Sequence, residues 1–155
     1  MRHSKRHGLA ATQLLYALMV VMVGAFAFYY YVNDRSESAK RGLTIKRMTA
    51  VEAALEKYCF DCGGELPSQE QGLEALLALP KEDAPHGWAG PYLTKPADLQ
   101  DGWGRPFKFM CPGKMLKGSE LRRPYDLASY GKDGCEGGED LDRDVCNWDR
   151  TTMIP

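Results

Sequence analysis

No proline occurs before Pro67, and no charged residue falls between positions 9 and 32. The first absence removes the residue that most reliably breaks a helix, so nothing sterically forbids one helix from about Leu9 to about Cys62. The second leaves the run LAATQLLYALMVVMVGAFAFYYYV, long enough at ~1.5 Å per residue to cross a hydrocarbon core of ~30 Å. Histidine is scarce as well: His3 and His7 sit in the stub ahead of that run and His86 in a loop, outside any metal-ligand spacing. No nucleophile–base pair, phosphate-cradling loop, internal repeat or low-complexity tail is present, and the chain reads as a non-enzyme. Excess positive charge is missing too. Once Arg2, Lys5 and Arg6 are set aside, 17 basic residues stand against 21 acidic ones, which excludes the basic face of a nucleic-acid binder. At 155 residues there is room for one domain and an appendage.

What is present begins at the membrane. The basic cluster precedes the apolar run and the mixed NDRSES follows it, so a single pass with a cytoplasmic N-terminus is expected. Ala25-Phe26-Ala27 mimics a small-x-small signal cleavage pattern, yet Tyr29, Tyr30, Tyr31 and Val32 continue apolar beyond it, as a helix meeting the headgroups would. The pattern then turns amphipathic. Ile45, Met48, Val51, Leu55, Tyr58 and Cys62 recur at three- and four-residue steps, and Gly63-Gly64 supplies the stop.

Short elements follow. Ser68 is placed to cap a brief helix over 69–79, with Leu73, Leu76 and Leu77 inward and Pro80 ending it. The stretch PHGWAGPYLTKPADLQDGWGRP reads as loop, and 107–110 (FKFM) and 125–129 (YDLAS) as the two strands, joined by a loop over 114–124. Trp88, Trp103 and Trp148 are expected in the core. The class is α+β, with a small antiparallel sheet.

The densest chemistry lies in YGKDGCEGGEDLDRD, where Asp133, Glu136, Glu139, Asp140, Asp142 and Asp144 crowd together. Like charges so close are either solvated or gathered around a cation. Calcium takes six to eight oxygens, backbone carbonyls included, and Gly131, Gly134, Gly137 and Gly138 permit the positive φ values that turn carbonyls inward. An EF-hand fails here, since Val145 stands at its glycine position and Thr151 at its closing glutamate. Cys135 and Cys146 flank the loop with ten residues between them, and a disulfide there would hold it closed. Cys59 and Cys62 form a C-x-x-C that closes a helix, whereas redox motifs open one. A structural bridge is therefore expected within the set Cys59, Cys62 and Cys111, pairing Cys111 with one of the other two.

In order along the chain, a basic stub ending in glycine, an apolar helix turning amphipathic, "EQGLEAL", "GPYL" and "YDLASYGKDGCEGGEDLD" resemble the major pseudopilin of the type II secretion system, a type IV pilin-like family. The resemblance implies a lollipop, with a long N-terminal helix whose outer half packs on the sheet beside a calcium-binding loop. It divides the chain into a leader (1–8), a transmembrane and assembly half-helix (9–32) and a periplasmic domain (33–155). It further implies cleavage by a prepilin peptidase after Gly8, leaving Leu9 first, and anchoring in the bacterial inner membrane. Assembly with copies of itself, other pseudopilins and inner-membrane secretion components into a filament that drives export would follow. For calcium it implies side-chain ligation by Asp133, Asp140 and Asp142 and backbone oxygens of Tyr130 and Cys135, with Glu136, Glu139 and Asp144 toward solvent. Two positions depart from the family pattern: Gln13 stands where a glutamate is usual, and Gly102 where "DPWG" has proline. A tip or minor pseudopilin, and an anchored calcium-binding domain that never polymerises, are the alternative readings.

Overall fold

The computed structural model describes residues 4–114, 123–149 and 151, with side chains from position 12 onward. Two units make up the chain, Met1–Ser36 and Glu37–Pro155. One helix, α1, runs Ser4–Asp61, in agreement with the proline-free reading.

In the first unit the described side chains of α1 are exposed. Leu14, Leu15, Val20, Val21, Phe26 and Tyr29 all face outward, and an apolar window of the helix reaches a mean hydropathy of 1.9 with none of it buried. Such a surface is costly in water and suits lipid, and the helix is long and apolar enough to cross a membrane. Phe26, Tyr29 and Tyr30 stack on one another toward its end, with ring centroids 4.6 and 5.9 Å apart. Aromatic rings of this kind favour the headgroup level.

In the second unit, residues 37–61 of α1 bury the face expected from the sequence. Met48, Val51, Leu55 and Tyr58 are closed off from solvent and Cys62 nearly so, while Lys46, Glu56 and Lys57 face outward. Against that face pack Leu73, Leu76, Leu99, Phe107, Leu127 and Val145, and each large side chain buried this way stabilises the fold by roughly 1.5–3 kcal/mol. The helix ends where Gly64 N–H donates to the Cys59 carbonyl at 2.8 Å, the six-to-one bond of a Schellman ending.

The expected helix over 69–79 is only a 3-10 turn, Leu73–Leu76. Ser68 caps no helix: Ser68 Oγ accepts from Gln71 N–H and Gln71 Oε1 accepts from Ser68 N–H, but the helical turn starts only after Gly72, which supplies no side-chain cap bond. Gly72 at φ 61 then interrupts the helical path, and Leu73 and Leu76 are buried from the shorter turn.

Three strands form an antiparallel sheet in the order β1 (Lys108–Met110), β2 (Asp126–Ser129), β3 (Val145–Cys146). Two were expected; β3 was missed because two residues are too short to show an alternating pattern. Register sets Phe109 opposite Leu127 and Val145 opposite Ser129. Leu127 and Val145 thereby turn into the core, and Ala128 lies on the other face beside Lys108 and Cys146. Most of the expected 114–124 loop lies outside the described residues.

The turn 101–105 is fastened to α1 through Thr44. Its buried hydroxyl donates to the Lys40 carbonyl at 3.0 Å and accepts from Gly102 N–H at 2.8 Å. A Cβ at position 102 would collide with the Lys40 carbonyl, so the approach requires glycine. Thr44→Val should leave the Gly102 N–H unpaired and destabilise the protein by ~1–3 kcal/mol; equal denaturant midpoints for the two chains would refute this coupling.

Candidate functional site

The acidic loop rests on a buried carboxylate. Asp101, only 2% exposed, accepts on Oδ1 from the backbone N–H groups of Trp103 and Arg105, both at 2.9 Å. On Oδ2 it accepts from the Ser129 hydroxyl at 2.9 Å and Arg105 Nε at 3.4 Å. Four donors satisfy what would otherwise be an expensive buried charge. Arg105 in turn passes its Nη2 to the Gly131 carbonyl at the start of the loop, and its guanidinium lies 5.6 Å from the centre of the Trp103 ring. Trp103 Nε1 donates to Glu37 Oε2 at 2.8 Å. That hydrogen bond, followed by the one from Lys40, holds the Glu37 carboxyl below the ordinary range.

Within the loop, Gly131, Gly134, Gly137 and Gly138 all take positive φ, and so does Asp140 at 52°. Lys132 N–H reaches the Leu141 carbonyl at 3.0 Å, Gly134 N–H the Tyr130 carbonyl at 2.9 Å and Asp142 N–H the Glu139 carbonyl at 3.0 Å. Asp133 is exposed and its Oδ1 accepts from Cys135 N–H at 3.0 Å. Asp140, Glu136 and Glu139 are exposed, and Tyr130 and Asp142 half-buried. Among the described residues no three His, Cys, Asp or Glu side chains stand close enough to hold a metal ion. Asp144 departs from the solvent-facing expectation. It is half-buried, its Oδ2 accepts from Gly137 N–H at 2.9 Å and its Oδ1 is enclosed with no partner. Burial first, and then the charges of Glu136 and Asp133, push its carboxyl up. The donor set is all oxygen and carries excess negative charge, which suits a hard cation.

The other sequence-identified residues lie elsewhere. Gly8 and Leu9 fall on α1, where side chains lie outside the described residues, and Gln13 is exposed on the same helix. Among the described residues no disulfide joins the cysteines. Cys135 is exposed, Cys59 and Cys111 half-buried, Cys62 and Cys146 buried. Burial above all, with the nearby charge of Asp144, pushes the Cys146 thiol up to about 12. Trp88 packs on the core and donates to the Ala75 carbonyl at 3.0 Å. Trp148, expected in the core, is instead 42% exposed. It lies on the sheet's outer side under the Arg123 guanidinium, 4.8 Å from its ring centre, which also pairs with Asp126.

An exposed apolar helix, an amphipathic continuation packed on a three-stranded sheet, and a glycine-threaded acidic loop thus occur in one chain. The family described as "Type II secretion system (T2SS), protein G" matches residues 31–148. The chain belongs to this family. It is 33% identical over 150 residues to the type II secretion system core protein G of Pseudomonas aeruginosa, covering 96% of this chain and 99% of the relative. The corresponding Vibrio cholerae protein is 31% identical over 140 residues, with 88% and 89% covered. Among solved structures it resembles the major pseudopilin of the type 2 secretion system of enterohaemorrhagic Escherichia coli, with a TM-score of 0.56 and 28% identity over 74% of this chain and 91% of that one. A pseudopilin of this kind is a structural subunit, consistent with anchoring in the inner membrane.

Sequence reading missed Asp101, Arg105 and the Arg123–Asp126 pair; only the compact motif DGWGRP signalled the first two. Burial pushes the Asp126 carboxyl up, but hydrogen bonds from Arg123 and Lys114 N–H outweigh it and hold the group below its usual value. A carboxyl depressed in the folded state stabilises above its unfolded pKa of ~3.9 and loses that contribution as pH falls through the lower folded value. Asp126→Asn should therefore melt below the parent chain at pH 7, with the gap narrowing below about pH 4. A gap of constant size down to pH 2.5 would rule out this assignment.

Proposed function

We propose that the chain is a body subunit of a type II secretion pseudopilus, with its N-terminus cytoplasmic and residues 33–155 periplasmic. In this reading a prepilin peptidase cleaves after Gly8. The mature chain assembles with copies of itself, other pseudopilins and inner-membrane secretion components into a filament that drives export. The observation that carries it is the family match over residues 31–148, which takes in both the amphipathic part of α1 and the acidic loop. The major subunit is preferred to a tip subunit because the relatives are core protein G.

Gln13 tunes this role. A carboxylate in the bilayer costs ~2.5–3.5 kcal/mol or more and persists only with a partner. Glutamine is cheaper to bury and still accepts a hydrogen bond from a neighbour's N-terminal amine, without the charge-assisted part. Gln13→Glu should increase the amount of this chain in sheared or cross-linked pseudopili at matched expression. No change would favour the tip position, and a fall would contradict both.

We further propose that the acidic loop takes calcium on Asp133, Asp140 and Asp142 and on the carbonyls of Tyr130 and Cys135. A Cys135–Cys146 bridge then keeps the loop closed, and Cys111 pairs with Cys59 or Cys62. Support for the cation lies in the oxygen-only donors, the positive φ values along the loop and the enclosed, unpartnered Asp144 Oδ1. A cation bound only by the native state at 100 times its Kd adds ~2.7 kcal/mol, a rise of about 5–10 °C in a chain of this size. In the full chain in detergent, Asp133→Ala and Asp140→Ala should abolish most of that rise, and Glu139→Gln should retain it. A melting temperature indifferent to chelator would remove calcium from this account, and peptide mapping without reduction that finds Cys135 and Cys146 unlinked would remove the bridge.

A further inference from the structure

Two arginines from outside the acidic loop reach its opposite ends. Arg105, planted on Asp101, donates to the Gly131 carbonyl. Arg41, half-buried on α1, donates to the Arg143 carbonyl at 2.7 Å. These ends meet, since a Cβ on Gly131 would run into the Asp142 carbonyl and lie 3.0 Å from that of Arg143. Arg105 also fills the space beside Gly134, where a Cβ would collide with its Nη1.

We infer that Arg41 and Arg105 clamp the neck of the loop and fix its shape before any cation arrives. Six carboxylates within twelve residues repel one another, so a loop lacking both a cation and a brace should spring open. Each guanidinium opposes this in two ways, by placing a positive charge at the neck and by tying one strand of it through a charge-assisted bond to a carbonyl. Their acceptors, the carbonyls of Gly131 and Arg143, are distinct from the Tyr130 and Cys135 oxygens proposed for calcium, so brace and cation do not compete. These are positioning residues that act through the backbone. Their effect on calcium affinity rests on the calcium reading above; the clamp itself does not.

The sign of the effect separates positioning from simple charge. Removing a cation near an acidic site would by Coulomb's law tighten calcium binding, whereas losing the braced geometry should weaken it about tenfold or more, as for other groups that orient metal ligands. Arg105→Lys keeps the charge and loses the fork; Arg41→Gln changes a residue on the helix surface.

The test uses the full chain in detergent micelles, with amide hydrogen exchange in chelator followed by calorimetric calcium titration. In both variants the amides of Lys132, Gly134 and Asp142 should exchange about tenfold or more faster than in the parent chain, with those of Leu127 and Ala128 unchanged. Unaltered loop exchange would overturn the clamp. If strand amides accelerate in Arg105→Lys, Arg41→Gln decides alone, and acceleration of the strand there too would also overturn it. If the parent chain takes up no calcium, the calcium reading fails while exchange still judges the clamp. Tighter binding by the variants would overturn the positioning role.

Discussion

The buried carboxylate of Asp101 is the constraint on which the second unit depends. Its two oxygens gather the backbone of the 101–105 turn, the Ser129 hydroxyl of β2 and the Arg105 side chain, and Arg47 on α1 donates to its carbonyl at 2.9 Å. Helix, turn, strand and acidic loop thus meet at one residue. Replacing the carboxylate by an apolar group would strand several donors at once, so the effect would exceed that of losing any one bond. A small sheet of two- to four-residue strands has little ladder bonding to hold it, and this polar centre supplies the connections that strand pairing does not.

Helix α1 meets two environments with one backbone geometry and two side-chain grammars. Up to Ser36 the described side chains are exposed and mostly apolar; from Met48 the apolar positions retreat to one face and are buried under loops and sheet. A helix satisfies its own backbone groups, so the same hydrogen-bond pattern serves in lipid and in water. Only the periodicity of the side chains changes.

That periodicity is why so much of the helix was legible in the sequence. Absence of proline, a charge-free run and the Met48–Val51–Leu55–Tyr58–Cys62 spacing are local signals and translate directly into structure. The helix after Ser68 was misread because Gly72, at φ 61, breaks the helical path four residues on. β3 is defined by its partner rather than by its own two residues, and Trp148 is drawn outward by Arg123. In the acidic loop the carboxylates announced themselves. Arg41, which braces it from the helix, did not, because it meets the Arg143 carbonyl only through the fold, across 102 residues of sequence.

The Thr44–Gly102 contact has a consequence for how this sequence could have arisen. Where the family pattern has proline, no N–H exists to reach a hydroxyl on the helix, and the ring would press on the Lys40 carbonyl that here lies within a Cβ's reach. Glycine at 102 restores the donor, and threonine at 44 receives it. Changing either alone leaves a buried polar group without its partner or a ring without room. The two positions are therefore coupled in this chain through one hydrogen bond. Relatives with glycine at the position of 102 should be enriched in Ser or Thr at that of 44, a covariation written by one hydrogen bond.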